Sequence, residues 1–476
     1  MRADRGRRPA VRWAAGLPAL LIVAGILGTA VSAAAAEELR LPDYRTVTLE
    51  NGLGLRVVRQ ATVPLVTFEV WIRAGATADP PGKEGLAELT AESLRKGSGD
   101  LDAAGFAAAV DFLGADFETS VNHDRTRVRL SLLAKDFDRG LELLSGALLH
   151  PAFDAGEVGK LAAQLADGVA QAKDNPRYVL GDYFDAALYG GHPYGNPVGG
   201  TETSLPALGP DDVRGFYRDL YGADRTLITV CGDVDPAAAE AAVRRTFAEM
   251  PRAAAPVPVV PAPESPAASR VFLVNKPDTP QTWFQIGALG PAYDDPDYAA
   301  AELVWTIFGG RFTSWLNTKL RIESGLTYGA RYRFDRRAQA GPAFMMSFTA
   351  TEHTKEALDL ALAQLDRLHE EGIGEEDLAS AKAYLKGQTP YDYETASSVA
   401  YAVSELAFYG VDRSRVDDLF QRLDAVTSED CRRVIDTYMQ RDHLVLTAVG
   451  VKDSIAPVLG TYGELKVLEN SDPGFR

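Results

Sequence analysis

Apolar and polar positions along this chain fall into two periods. From Thr67 to Arg73 and from Trp283 to Leu289 they alternate as in half-buried strands, and TLITVCGDV reads as a buried strand ending at Gly232. Residues 309–334, GGRFTSWLNTKLRIESGLTYGARYRF, change period partway. Phe312, Trp315, Leu316 and Leu320 are spaced for one apolar helix face. Gly325 stands where a helix C-cap belongs, and Leu326 to Phe334 then alternates as a strand. The pattern predicts a helix-to-strand corner with Arg321 in the last helical turn and Tyr328 in the strand. Both side chains can donate hydrogen bonds to a carbonyl or an oxyanion. Each also has an ordinary reading, Arg321 as a counter to the helix dipole and Tyr328 as a common strand residue.

The pattern occurs twice. At an offset of 218, Asp211-Asp212-Val213-Arg214 falls on Glu429-Asp430-Cys431-Arg432, then Asp224 on Asp442, Thr229 on Thr447, Gly232 on Gly450 and Asp235 on Asp453. Each copy reads as an acidic N-cap, an amphipathic helix and a buried strand. At an offset of 216, Pro64 to Phe68 falls on Pro280 to Phe284. A period this long means two whole domains rather than a solenoid. AAAPVPVVPAPESPAAS, residues 253–269, lies between them and reads as a semi-rigid polyproline-like linker. The domains are then 37–252 and 270–476. Runs of strand and runs of helix, without regular βαβ alternation, predict an α+β fold with helices packed on one sheet face.

Composition adds two constraints. A basic segment with five arginines, an apolar run from Ala14 to about Ser32 and Ala33 to Ala36 describe a signal peptide over residues 1–36, with an uncleaved membrane anchor as the alternative. Without that segment the chain holds 44 basic and 65 acidic side chains, a net of −21 against −17 for the whole. Such a surface repels polyphosphate, which argues against nucleic acid, and mildly favours basic peptides or a basic partner. Cys231 and Cys431 give no disulfide framework and no thiolate metal site; both read as packing residues.

GGRFTSWLNTKLRIESGLTYG, together with GGHPYGNPVGGTETSLPALGPDDVRGFYRDLY at residues 190–221 and AKDNP at 172–176, resembles the pitrilysin, insulinase and mitochondrial processing peptidase family, the inverted-motif zinc peptidases. The resemblance runs over nearly all of the chain after residue 36. It implies two homologous α/β-roll halves, each an antiparallel-rich sheet with helices on one face, related by a pseudo-twofold and enclosing a cavity. It also implies that Arg321 and Tyr328 hold a peptide and polarise its scissile carbonyl, and that Phe117 to Ser120 is the sheet edge to which peptide adds. Active members carry HxxEH where this chain has Glu88, Ala91 and Glu92, and a further carboxylate ligand near Asp167. Two histidines one helical turn apart would bind zinc, with the glutamate as base for the metal-bound water. Here both are replaced.

The departure is one-sided, since the first-half equipment is gone and the second-half Arg and Tyr remain. By the resemblance this is the pattern of a non-zinc-binding subunit in an exported, periplasmic heteromeric metallopeptidase, whose zinc belongs to a homologous HxxEH-bearing partner. Other readings stay open: a pseudopeptidase acting as a peptide-binding or assembly scaffold, or a hydrolase with a hard cation at Glu88 and Glu92. Glu84, Glu88 and Glu92 share one helix face, for which a solvated or cation-paired surface near Arg95 and Lys96 is the simpler account. The six histidines are scattered, and His192, before Pro193, reads as structural.

Overall fold

The computed structural model describes residues 39–256 and 258–476. The signal segment expected over residues 1–36 lies outside them. Two six-stranded sheets organise the chain. The first uses β1 (Tyr44–Thr48), β2 (Gly54–Arg59), β3 (Leu65–Ile72), β6 (Asp116–Val121), β7 (Thr126–Leu133) and β8 (Thr226–Gly232), in the order β1-β2-β8-β3-β7-β6. A two-residue ladder, β4 (Gly97–Ser98) with β5 (Leu101–Asp102), stands apart. The second sheet uses β9 (Arg270–Asn275), β10 (Gln281–Leu289), β11 (Ala330–Phe334), β12 (Pro342–Ala350), β13 (Val445–Gly450) and β14 (Leu465–Glu469), in the order β11-β12-β10-β13-β9-β14.

The internal repeat is visible in this order. β3 and β10 occupy the same place in their sheets, as do β8 and β13, and each is preceded by a matching helix, Pro210–Leu220 and Ser428–Tyr438. The acids of those helices sit inside the first turn rather than at the N-cap. Asp212 accepts the Gly209 N–H at 2.9 Å, and Asp430 forms a reciprocal capping box with Thr427. The outermost strand breaks the repeat: β1 pairs antiparallel with β2, whereas β14 pairs parallel with β9.

Strand alternation explains how the halves join. Val66, Phe68, Val70 and Ile72 of β3 face the first-half core, while Glu69 and Trp71 face the other way and are buried too. The second half covers that other face. Its Ala396–Tyr409 helix packs on β3 and β8, with Phe408 edge-on to Trp71 and the Ser404 hydroxyl donating to Thr229 Oγ1 at 2.7 Å. Reciprocally, the first-half Pro176–Tyr189 helix packs on β10 and β13, burying Val179, Leu180 and Tyr183 against Val274 and Val449. Each sheet therefore has its own helices on one face and a borrowed helix on the other.

Polar groups and both ends of the described chain reinforce the exchange. Asp124 of the first half accepts from the Ala338 N–H at 2.8 Å and the Tyr409 hydroxyl at 3.1 Å, and Arg337 reaches Asp185 at 2.5 Å. Leu39 and Leu41 are buried in the second-half core, where the Leu41 N–H donates to Asp417 at 2.9 Å. Beyond β14, Phe475 packs edge-on to Tyr183 while Lys173 donates to the Asp472 and Gly474 carbonyls. Apart from Val257, the 253–269 stretch runs without helix or strand, and the Pro261 carbonyl lies 2.9 Å from His192 Nε2. The other ring nitrogen of His192 accepts the Tyr194 N–H, so this histidine is structural. Cys231 and Cys431 are buried and free, and burial pushes each thiol up to about 12.

Candidate functional site

The helix-to-strand corner is built from two π-turns. The Tyr298–Trp305 helix continues into a π-turn at Thr306–Gly310, and Trp315–Asn317 continues into a second at Thr318–Glu323. The first presses on β11. A Cβ at Gly309 would stand 2.1 Å from the Tyr332 nitrogen, so only glycine fits. Trp305 Nε1 donates to the Tyr332 carbonyl at 2.7 Å, and Asn317 Oδ1 accepts the Ala330 N–H at 3.3 Å. These two side chains close the outer edge of β11, the exposure that edge strands otherwise leave.

Leu316 and Leu320 are buried as expected, but Phe312 is not on their face. The helix begins only at Trp315, after Ser314 as N-cap, so Phe312 stays in the preceding turn, 60% exposed. Arg321 lies 4.8 Å over its ring. Gly325 takes the left-handed conformation foreseen for it, with φ +67°. The helix closes one residue wide, the Ser324 N–H bonding to Lys319 and the Leu326 N–H to Leu320.

Tyr328 is not in the strand. Thr327 Oγ1 both accepts the Gly329 N–H and donates to the Gly329 carbonyl, each at 3.1 Å, and this local turn holds 325–329 off the ladder until Ala330. The phenol consequently projects outward, 80% exposed. Arg321 and Tyr328 form a ridge between two hollows and line both. The smaller, of about 280 Å³, also contains Arg311, Arg331 and Arg333. The larger, of about 720 Å³, adds Leu326, Phe348, His353 and Glu356.

The first-half counterpart lies on the Leu86–Ser93 helix. Asp79 caps that helix, accepting the Gly85 and Ala87 N–H groups at 2.8 Å. Glu84 precedes the helix, so the shared acidic face reduces to Glu88 and Glu92. Glu92 accepts from the Thr119 hydroxyl and pairs with Arg95 at 3.4 Å. Glu88 is half-buried, and burial, then the neighbouring Glu92 charge, hold its carboxyl up at about 7. Ala91 is fully buried and offers no base. Asp167 is exposed on the Ala155–Ala172 helix. Among the described residues no group of three His, Cys, Asp or Glu side chains could hold a metal ion. Two glutamates, one of them engaged by Thr119 and Arg95, fall short of the three or four protein ligands that a zinc site takes.

The insulinase model, peptidase family M16, matches residues 56–202, and the model of the peptidase M16 inactive domain matches residues 207–385. The chain belongs to the insulinase family. The inactive-domain match starts before the Pro210–Leu220 helix and β8, which complete the first sheet. An M16 inactive domain from Pseudomonas fluorescens has the same fold, with TM-score 0.81, 25% identity and coverage of 86% of this chain and 98% of that one. Two relatives with different names are similar over most of their length. An uncharacterized zinc protease of Mycobacterium tuberculosis is 26% identical over 89% of this chain and 94% of its own. The non-peptidase homolog YmxG of Helicobacter pylori is 21% identical over 91% of this chain and 98% of its own. The inactive-domain match and the likeness to a non-peptidase homolog support a non-catalytic M16-like protein.

Sequence reasoning missed the rest of the arginine group. ARYRF carries the signal, because alternation that buries Ala330 and Tyr332 must expose Arg331 and Arg333 on the side of Arg321.

Proposed function

We propose that this chain is the metal-free subunit of an exported heteromeric zinc metallopeptidase. In this reading Arg321 and Tyr328 hold a peptide whose cleavage is driven by metal and base on a homologous HxxEH-bearing partner. The observation that carries the reading is the contrast between the two halves. Where the family binds metal, Glu92 is committed to Thr119 and Arg95 and Ala91 is buried. At the second-half corner, by contrast, a cation and an exposed phenol stand together on an open ridge.

Both groups donate hydrogen bonds. A peptide carbonyl oxygen gains negative charge as its carbon becomes tetrahedral, so donors fixed beforehand favour that state over the planar one. The rest of the peptide has a place to lie. Among the described residues β6 pairs only with β7, which leaves its outer main-chain groups along Phe117 to Ser120 open to strand addition. β11, at the equivalent position of the second sheet, is closed by Trp305 and Asn317, so strand addition is expected in the first half alone.

Mixing tests the reading. Alone the protein should cleave nothing; with an HxxEH-bearing partner, turnover should appear. Arg321→Ala or Tyr328→Phe should then lower kcat by well over tenfold, taking one lost oxyanion donor as ~3 kcal/mol. Full turnover in both variants would remove the assigned role. The likeness to a non-peptidase homolog favours a second reading, a scaffold that binds its partner without assisting chemistry. That reading predicts a stable complex indifferent to both substitutions.

A further inference from the structure

The smaller hollow beside the ridge is lined by Arg311, Arg321, Arg331 and Arg333 and by no carboxylate, in a chain whose formal net charge is −17. Among the described residues, none of the four guanidinium groups has an ion-pair partner. Arg311 donates from Nη1 to the Ser380 hydroxyl at 2.9 Å, and its Nε is out of solvent with no hydrogen-bond partner. Arg321 rests on the Phe312 ring. Arg331 and Arg333 are exposed on one face of β11, with Cα atoms about 7 Å apart, the repeat of alternate side chains on any extended peptide. Elsewhere on the surface arginines are commonly paired: Arg433 with Asp297 and Asp430, Arg413 with Asp417, Arg129 with Asp116 and Glu118. The hollow across the ridge differs, since it contains Glu356 and His353 and a single arginine, Arg321.

Building on the role given above to Arg321 and Tyr328, we propose that this hollow selects peptides by acidic side chains. An aspartate or glutamate next to the held carbonyl, or at alternate positions along the peptide, enters between Arg311, Arg331 and Arg333. Because the outer edge of β11 is closed, the hollow recognises side chains rather than backbone. The net charge of the whole chain favours basic partners, but a carboxylate within the hollow meets the local guanidinium groups first, inside the Debye length of about 8 Å. A long polyanion such as nucleic acid would extend past the hollow onto a surface of its own sign.

Peptide binding to the full chain, without any partner, tests this separately from turnover. The probes are three fluorescent ten-residue peptides of one sequence, with two alternate central positions occupied by Glu, Gln or Lys. Anisotropy at about 0.15 M salt should show the Glu peptide bound roughly tenfold more tightly than the Gln peptide, from two partly screened ion pairs. The Lys peptide should bind weakest. The double variant Arg331→Gln with Arg333→Gln, both at exposed positions, should abolish the Glu-over-Gln preference. Equal binding of the Glu and Gln peptides would overturn the proposal, as would a preference that survives the double variant. Displacement of the Glu peptide by millimolar inorganic phosphate, with no binding of the Gln peptide, would reduce the hollow to a simple anion site and also overturn it. None of these results decides whether Arg321 and Tyr328 assist a partner's chemistry, which the mixing experiment reads.

Discussion

Single residues decide what the Leu86–Ser93 helix can do, and Glu88 is the most informative of them. Its carboxyl is raised from 4.5 to about 7, by burial first and by the Glu92 charge second. Between those two values the folded protein keeps a proton that the unfolded chain has released. Stability therefore falls as pH rises across this window and stays lower above it. Glu88→Gln preserves the neutral shape at every pH. Urea unfolding should find the variant level with the parent near pH 4.5 and more stable at pH 8 by on the order of 2 kcal/mol. Equal stability at pH 8 would mean that Glu88 ionises without cost. Sequence spacing located this residue but misjudged its surroundings. An acidic face solvated or paired with nearby cations describes Glu92, held by Arg95, but not Glu88, which the fold half-buries. Spacing gives direction around a helix axis; it does not give the depth of what packs there.

Among the elements, the π-turn at Thr306–Gly310 has the clearest effect. It sets the Tyr298–Trp305 helix against β11 and leaves room for nothing larger than hydrogen at Gly309. Gly309→Ala should cost between about 1 and 3 kcal/mol in urea unfolding, the range for an atom forced into filled space. An unchanged midpoint would show that the contact yields easily. Much at this scale could be read from the chain. The offsets of 218 and 216 superpose β8 on β13 and β3 on β10, and Gly325 was identified as a cap from its place after the apolar series. TYGARYRF alternates from its first residue and so reads as strand through Tyr328, while a hydrogen bond from the Thr327 hydroxyl, invisible to alternation, delays the strand to Ala330. The π-turns were equally hidden, since one extra residue per turn hardly disturbs an apolar spacing over so short a helix.

The whole molecule is two halves that each lend the other a helix. Amphipathic periodicity shows that a helix has a face to bury, not which sheet will receive it, so the exchange was beyond sequence reasoning even where the repeat itself was plain. Residues 39–252 and 270–476, expressed separately, would each expose a sheet face and a helix that are buried against the other half in the whole chain. They should aggregate or remain unfolded alone, and coexpression should recover a one-to-one complex on size-exclusion chromatography. Two separately monomeric, folded halves would contradict the exchange. The segment at Leu39 and Leu41 carries a consequence in time. The Leu41 amide meets its acceptor 376 residues further along, and at roughly 5–20 residues per second a ribosome needs on the order of half a minute to make that stretch. Until then the segment at Leu39 and Leu41, the earliest-made part of the described chain, has no partner to dock against.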